Sequence, residues 1–437
     1  MKIRIRYSSL FIVYLACFWV MPNYFAVKVS GLPLMTMHRV LLIALLLWVL
    51  LNRRMMSDFW RVINTLSLVE KAVFIGFAAS TFVTGLFFGM NSFFNPLFDD
   101  ILSFCIIYFS LYRYLDFDDV QSLARKILWV VCLLGLIEAA SGVNVFDYLN
   151  TGMSDLNYGS LMRDTTLRVT SAYGHPLAYS MVLNLLFPLV CYDSRNREVY
   201  LFRDGPLFVL VLLNMLLTGS RSGIALFIIE LLLILLLSDR RYMQKLVVNG
   251  LVAVSASTLV LMFGSSNVFI RSLIRSVLYT VDGMFHTNYA VLYGGDAHVA
   301  QSSEYRNVLW KLLGRQELLT PFGKGNDYRI NIMIGGWYIN SIDNFYINYY
   351  IRFGVVGVLA LLCFFLVYVL IFLKRALEHR EVRKLCLLFL IIMVVYLSNL
   401  VVVDEIGTLR IFMSVLALAS VYVKLGIERE TNDRYTY

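Results

Sequence analysis

Arg221 stands in Gly219-Ser220-Arg221-Ser222-Gly223, between two apolar runs. At a helix start the unpaired backbone N–H groups and the positive helix end favour an anion, and a guanidinium adds a bidentate fork suited to phosphate. Glycines on both sides let a bulky anionic group approach the backbone. The alternative is an arginine that snorkels to lipid phosphate and anchors its helix, although an anchor requires no flanking glycines and serines. Arg168 lies just before Ser171-Ala172-Tyr173-Gly174-His175-Pro176, where Pro176 suits the first turn of a helix. His175 is a candidate general base there, a helix cap or an interfacial histidine. Ser341-Ile342-Asp343-Asn344-Phe345 opens a further apolar run. Asp343 and Asn344 are good N-cap types, and a carboxylate at such a mouth also suits acceptance of a proton from a hydroxyl.

These residues sit at the ends of apolar segments, and those segments dominate the chain. Hydrophobic residues make up 59% of it and charged residues 15%, against roughly a quarter charged in an ordinary soluble domain. A spanning helix needs about 20 predominantly apolar residues. The sequence reads as an all-α polytopic membrane protein with about 12 such helices. They are centred near residues 18, 43, 79, 106, 135, 184, 211, 229, 254, 358, 393 and 415. The run from Leu207 to Leu237 is interrupted by Thr218–Gly223 and reads as two shorter helices with a tight turn between them. A single helix would place Arg221 at mid-depth, at a cost of at least ~2.5 kcal/mol.

Lys and Arg set the orientation. With Lys2, Arg4 and Arg6 on the cytoplasmic side, the other cytoplasmic turns carry Arg53/Arg54/Arg61/Lys71, Arg113/Arg125/Lys126, Arg195/Arg197/Arg203, Arg240/Arg241/Lys245, Lys374/Arg375/Arg380/Arg383/Lys384 and Lys424/Arg429/Arg434. Both termini are then cytoplasmic. The net charge of +9 reflects this bias rather than a nucleic-acid partner. The outer face carries two long segments, 147–174 and 265–341, the second between spans 9 and 10. The whole of 1–437 reads as a single integral membrane domain. No cleavable signal is evident, since the first apolar run lacks a small-residue cleavage site and leads into further spans.

The larger outer segment has structure of its own. Phe269, Ile270, Leu273, Ile274, Val277 and Leu278 recur at helical spacing, with Arg271 and Arg275 on another face, as in a helix lying at the interface. Glu304–Leu319 is again helical in period, and Pro321-Phe322-Gly323-Lys324-Gly325 ends it with a turn that lacks the phosphate-loop spacing. Glu138 and Glu230 fall inside spans, where Glu230 is expected either protonated or bonded to Asn184 or Asn214. All six cysteines lie in or beside apolar runs, which argues against disulfide, metal and thiol-nucleophile roles.

Taken together, Arg168 with Gly174-His175-Pro176, then Leu217–Gly223, Tyr305-Arg306-Asn307-Val308-Leu309-Trp310, Pro321–Gly325, Asp343-Asn344 and Gly354-Val355-Val356-Gly357 resemble the O-antigen polymerase and ligase superfamily. The resemblance covers roughly 125–405 and rests on the order of short motifs. It implies glycosyl transfer from an undecaprenyl-diphosphate-linked glycan on the outer face of the cytoplasmic (inner) membrane, without a cofactor. Arg168, Arg221, Arg306, Lys324 and Asn344 would contact diphosphate and glycan. Asp343 would serve as base or acceptor-orienting group, with His175 in reserve. Ligases of the superfamily typically carry histidine where Asp343 stands, so the chain looks more like the polymerases that extend O-antigen, capsule or exopolysaccharide. Its partners would be glycan donor and acceptor, membrane lipids, and the chain-length regulator and flippase of the same pathway.

A ligase, a lipid-linked oligosaccharide flippase and a structural scaffold for polysaccharide assembly are the competing readings. A transporter needs a charged or broken pathway across the midplane, for which only Glu138 and Glu230 offer material, so it should fail first at Glu230. No metal-ligand spacing is visible among the five histidines. Transfer activity is therefore expected to survive EDTA; a loss that Mg2+ or Mn2+ restores would contradict this.

Overall fold

Capping residues at the edges of the apolar runs set where helices begin. Asn52 accepts from the N–H groups of Arg54 and Met55, Ser67 and Glu70 form a reciprocal capping box, and Ser220 and Asn344 each bond the N–H three residues on. The computed structural model describes residues 6–29, 33–152, 162–163, 166–239, 242, 244, 268–285, 287–295 and 305–435. Its main helices are α1 (Tyr7–Val20), α2 (Met37–Leu51), α3 (Arg53–Ile63), α4 (Leu68–Phe88), α5 (Asn91–Tyr114), α6 (Phe117–Ser141) and α7 (Pro176–Cys191). There follow α8 (Gly205–Leu217), α9 (Arg221–Leu237), α10 (Val268–Phe285), α11 (Phe345–Glu378), α12 (Arg383–Asn399) and α13 (Leu409–Tyr435). Among the described residues strands pair only as short two-stranded hairpins, such as Ile332–Ile334 with Trp337–Ile339.

Each expected span centre falls inside one of these helices, except that near residue 254, which lies outside the described residues. The apolar run after Leu207 breaks where its polar insert stands, between α8 and α9. Among the described residues, four helices are long and apolar enough to cross a membrane: α4, α5, α11 and α13 over Leu409–Thr431. The pair α2 and α3 passes that test jointly but bends by 107° at Asn52. Arg53, Arg54 and Arg61 are exposed on α3, which fits a helix turned along an interface.

Aromatic rings fill the centre. Phe74 of α4 packs on Phe104 of α5 at 4.5 Å and on Phe364 of α11 at 4.9 Å between ring centroids, and Phe364 meets Tyr368 at 5.1 Å. Each such pair contributes about 0.5–1.5 kcal/mol beyond the area it buries. Outward faces carry exposed Leu86, Leu232, Leu236, Leu359, Leu366 and Leu370, a belt that belongs in lipid rather than water. The protein is membrane-embedded.

The two ends of the bundle differ. One end gathers the start of α1 and the end of α13, where Tyr7 pairs with Ser110, Tyr112 with Glu428 and Lys384 with Glu198. The basic turns around residues 53–61, 113–126, 195–203 and 374–384 lie there too. The other end gathers the α4–α5 turn, 144–152, 166–175, 218–220, 305–344 and 400–408.

At that second end α11 is broken. Gly354 has φ +71° and ψ −170°, a region essentially reserved for glycine. The break frees backbone groups that the segment 320–325 satisfies. Val355 and Val356 donate to the carbonyls of Thr320 and Pro321 (3.2 and 3.1 Å), while Lys324 and Gly325 donate to those of Ile351 and Arg352 (2.8 and 2.9 Å). A Cβ on Gly354 would lie 2.4 Å from the Gly323 nitrogen, and one on Gly323 would lie 2.1 Å from the Arg352 oxygen. The Pro321–Gly325 and Gly354–Gly357 motifs are thus two halves of one backbone joint.

One expectation is corrected. Glu304–Leu319 does not form one helix: 305–309 is α-helical, Trp310–Gly314 and Gln316–Leu318 are 3₁₀ turns, and Glu304 lies outside the described residues. Leu309, Leu312 and Leu318 pack there with Ile339, Ile342 and Ile351 in a small separate core, and a compact loop over that core does not need a regular helix. Of the two states expected for Glu230, the hydrogen-bonded one is not formed: the side chain is 0% exposed and bonds neither Asn184 nor Asn214. Asn214 is instead held by Tyr179 and the carbonyls of Cys132 and Leu210.

Gly323→Ala should lower the melting temperature of the detergent-solubilised protein, because positive φ alone costs ~1–3 kcal/mol before any clash. Gly76→Ala, where an added Cβ meets nothing within 4 Å, is the control. A Gly323→Ala protein that melts like the wild type would refute the joint.

Candidate functional site

Glu138, near the end of α6, accepts from the N–H and hydroxyl of Thr170 (3.1 and 3.0 Å) and from the N–H of Ser171 (2.7 Å). Asn144 adds bonds to the Thr170 hydroxyl and the Ser171 carbonyl (2.7 and 2.8 Å). This clamp holds Ser171 at φ +46°, outside the comfortable range for a residue with a side chain. Glu138 is therefore a structural acid. What it fixes is the approach of Arg168 and His175 to the mouth of the bundle.

Arg168 is 8% exposed. Its neighbour Val169 donates to the Leu217 carbonyl at 3.1 Å, and its own Nε donates to the Thr218 carbonyl at 2.8 Å. The guanidinium so lies across the α8–α9 turn. Gly219, at φ +57°, faces it closely enough that an added Cβ would sit 3.5 Å from Nε. Arg221 follows the Ser220 cap as the first residue of α9. Helix α10 passes over it: a Cβ on Gly283 would lie 3.8 Å from the Arg221 Cδ, and Asp282 is within its electrostatic reach. The glycines around Arg221 thus make room for packing on both sides.

His175 caps α7, its Nδ1 accepting from the Leu177 N–H at 3.2 Å. Burial and then the charge of Arg168 push its pKa down to about 4. A ring of that basicity is neutral at physiological pH and a weak proton acceptor.

Arg306 and Asp343 form a second group. The Tyr305 hydroxyl donates to the Ser341 carbonyl at 2.5 Å, which brings the start of the 305–319 segment against the start of α11. Burial lowers the Arg306 pKa, and the nearby Asp343 carboxylate opposes that shift. The Arg306 Nε is buried with no hydrogen-bond partner. Asp343 is half-buried and accepts from the Ser341 hydroxyl at 3.4 Å. Asn344 is engaged at both ends of its amide, accepting from the Ile347 N–H at 3.0 Å and donating to the Val401 carbonyl at 2.5 Å. Lys324 lies in the backbone joint, with its ammonium 5.8 Å from the centre of the Tyr328 ring.

A third set was not singled out in the sequence. Arg39 grips Asp99 through Nε and Nη2 at 2.8 and 2.5 Å. Arg410 donates to His38 Nδ1 at 2.6 Å, which leaves the ring proton on Nε2, 3.2 Å from Asp99. Beside this buried chain stand Asp100, Asn348, Arg352, Asp404 and Glu405. Asp404 is within electrostatic reach of Asp343 and Arg352. Burial, and next the charge of Asp404, push the Glu405 pKa up to about 7. The available signal was the presence of charged residues at positions 39, 99 and 410 beside apolar stretches on three different helices, since such charges must find one another.

Residues 206–362 match the family model described as O-Antigen ligase. The matched stretch runs from α8 into α11 and contains Arg221, Arg306, Lys324, Asp343 and Asn344, with Arg168 and His175 preceding it. No curated protein matches the chain. The match lies within the polymerase and ligase superfamily to which the motifs pointed.

The folded protein keeps His175 neutral down to about pH 4, whereas the unfolded chain takes up the proton near the ordinary 6.5. Stability should therefore fall as pH drops through that window. His175→Asn keeps a capping acceptor and removes the titration. Its melting curve against pH should diverge from the wild type's between those values, and parallel curves would contradict the assignment.

Proposed function

We propose that the protein is a polysaccharide polymerase that joins undecaprenyl-diphosphate-linked repeat units at the outer face of the cytoplasmic membrane. The observation that carries this reading is that one end of an apolar bundle holds the buried Arg168, the half-buried Arg221 and Arg306, and the half-buried Asp343 carboxylate. The basic turns gather at the opposite end, which supports an outward-facing site and cytoplasmic termini. The polyprenyl tail has apolar walls to lie against, and the 305–344 segment stands over the glycan.

In the transfer, an acceptor sugar hydroxyl attacks the donor's anomeric carbon. The bond from that carbon to the diphosphate oxygen breaks, undecaprenyl diphosphate leaves with the electron pair, and the hydroxyl proton passes to the Asp343 carboxylate. Arg168, Arg221 and Arg306 neutralise the departing diphosphate. Each is partly or fully removed from bulk water, where a fixed cation counts for more than in solution. Asn344 holds the start of α11 in place, and Lys324 borders the site. Donor and acceptor glycans are the substrates, and a flippase and a chain-length regulator are the natural partners.

A second reading, transfer of finished chains to a lipid acceptor, is favoured by the printed description of the matching family. Asp343 in place of the histidine typical of ligases weighs toward polymerase.

In a deletion strain, plasmid-borne Arg221→Ala should leave single repeat units where the wild type restores a ladder. Losing one such donor costs about 2.7–4 kcal/mol of barrier. Asp343→Asn should do the same, and Arg221→Lys should restore part of the ladder. Normal polymer length in all three, at normal protein levels, would refute the assignment of Arg221 and Asp343, and a normal ladder in the deletion strain itself would refute the reading. Long chains stranded on the lipid carrier would favour the ligase instead.

A further inference from the structure

A cavity of about 330 Å³ lies at the same end of the bundle, between the α4–α5 turn, the first turns of α11 and the α12–α13 loop. Its charges are unevenly matched. Arg39 is neutralised by Asp99, and Arg410 is held by His38 and by the carbonyls of Met21 and Gly407. Asp404 is bonded to Asn348 at 2.6 Å. Asp100 has no hydrogen-bond or ion-pair partner among the described residues, although it is 6% exposed and lines the cavity. Removing a carboxylate from water without a partner is costly. Asp100 also belongs to a π-helical stretch, Leu97–Leu102, and such stretches are frequent at functional sites. Across the cavity the Arg352 Nε is likewise buried and unpartnered, and the Tyr349 hydroxyl beside it has no partner either.

The groups lining the cavity define what would fit. Asp100 is the unpartnered acceptor, Asp404 and Glu405 add carboxylates already bonded to Asn348 and to the Leu409 N–H, and the half-buried Arg352 guanidinium, bonded to Asn326 through Nη1, is the donor. Phe345, Tyr349 and Phe353 supply ring faces along the same wall. A phosphate would meet three carboxylates, and a metal ion would meet Arg39, Arg352 and Arg410. A polyhydroxylated ring satisfies both kinds of group at once, with hydroxyls donating to the acids, accepting from the guanidinium, and a C–H face resting on an aromatic side chain. The volume is at the lower end of ligand pockets, about 300–1,000 Å³, and suits one sugar residue rather than a chain.

We infer that this cavity is a saccharide subsite, which holds the acceptor sugar beside Asp343 through Asp100, Arg352, Asp404 and Glu405. The acceptor role rests on the polymerase reading; the binding of sugar does not. Asp404 lies within electrostatic reach of Asp343, and the Asn344–Val401 bond ties the same loop to the start of α11.

The test uses the full-length purified protein. The probe is the lipid-free repeat-unit oligosaccharide released by mild acid from the surface polysaccharide of the producing cell, and its binding is followed by saturation-transfer NMR and titration. Wild type should bind saturably. Asp100→Asn and Glu405→Gln should each weaken binding at least tenfold. Leu34→Trp, which fills the cavity without removing a charge, should do the same in a protein that stays monodisperse. No saturable binding by the wild type, or wild-type affinity in all three variants, would overturn the inference. If the cavity variants lose binding while the deletion strain still makes a normal ladder, the sugar site stands and the polymerase reading falls.

Discussion

The joint between Gly323 and Gly354 governs how this end of the molecule is built. A long apolar helix would ordinarily satisfy its own backbone and leave the 305–344 segment without a seat. Breaking α11 at Gly354 exposes carbonyl and N–H groups, and the 320–325 segment pairs with them in both directions. Unpaired backbone groups near lipid are expensive, so the break and the segment each require the other. Neither glycine tolerates a side chain, because two backbones meet there with no space between them. The consequence is positional. Asn344, Asn348 and Arg352 lie on the half of α11 before the break, and the loop that carries Arg306 and Lys324 is tied to that half.

A membrane-embedded bundle tolerates charge where charge is answered. Arg39, Asp99, His38 and Arg410 form a continuous chain across three helices, and Glu138 is answered by backbone N–H groups and a hydroxyl. These are architectural charges whose removal would leave buried partners exposed to low dielectric. Asp100 differs, since its carboxylate has no such partner among the described residues and lines a cavity. Glu230 differs again, being enclosed in the apolar core beside Phe227 and Ile234. The contrast separates charges that build the bundle from one that faces a cavity.

Apolar runs interrupted by small polar clusters were enough to place the helices, because that pattern is local and repeats along the chain. The α8–α9 break and the capping roles of His175 and Asn344 were legible for the same reason. The role of Pro321–Gly325 was not, since its partner lies around Gly354 and no local pattern reveals a backbone-to-backbone joint. Nor was the Arg39–Asp99–Arg410 chain, whose members are far apart in sequence and each look like isolated charges near helix ends. Glu304–Leu319 kept a helical period without a helix: its leucines face a small core that 3₁₀ turns serve as well.

The most direct measurement is reconstitution of the purified protein in proteoliposomes with undecaprenyl-diphosphate-linked repeat units, following glycan length and released undecaprenyl diphosphate together. The account predicts a growing ladder with one undecaprenyl diphosphate freed per unit joined, abolished by Arg221→Ala. Intact repeat units that remain single, with no carrier released, would contradict it.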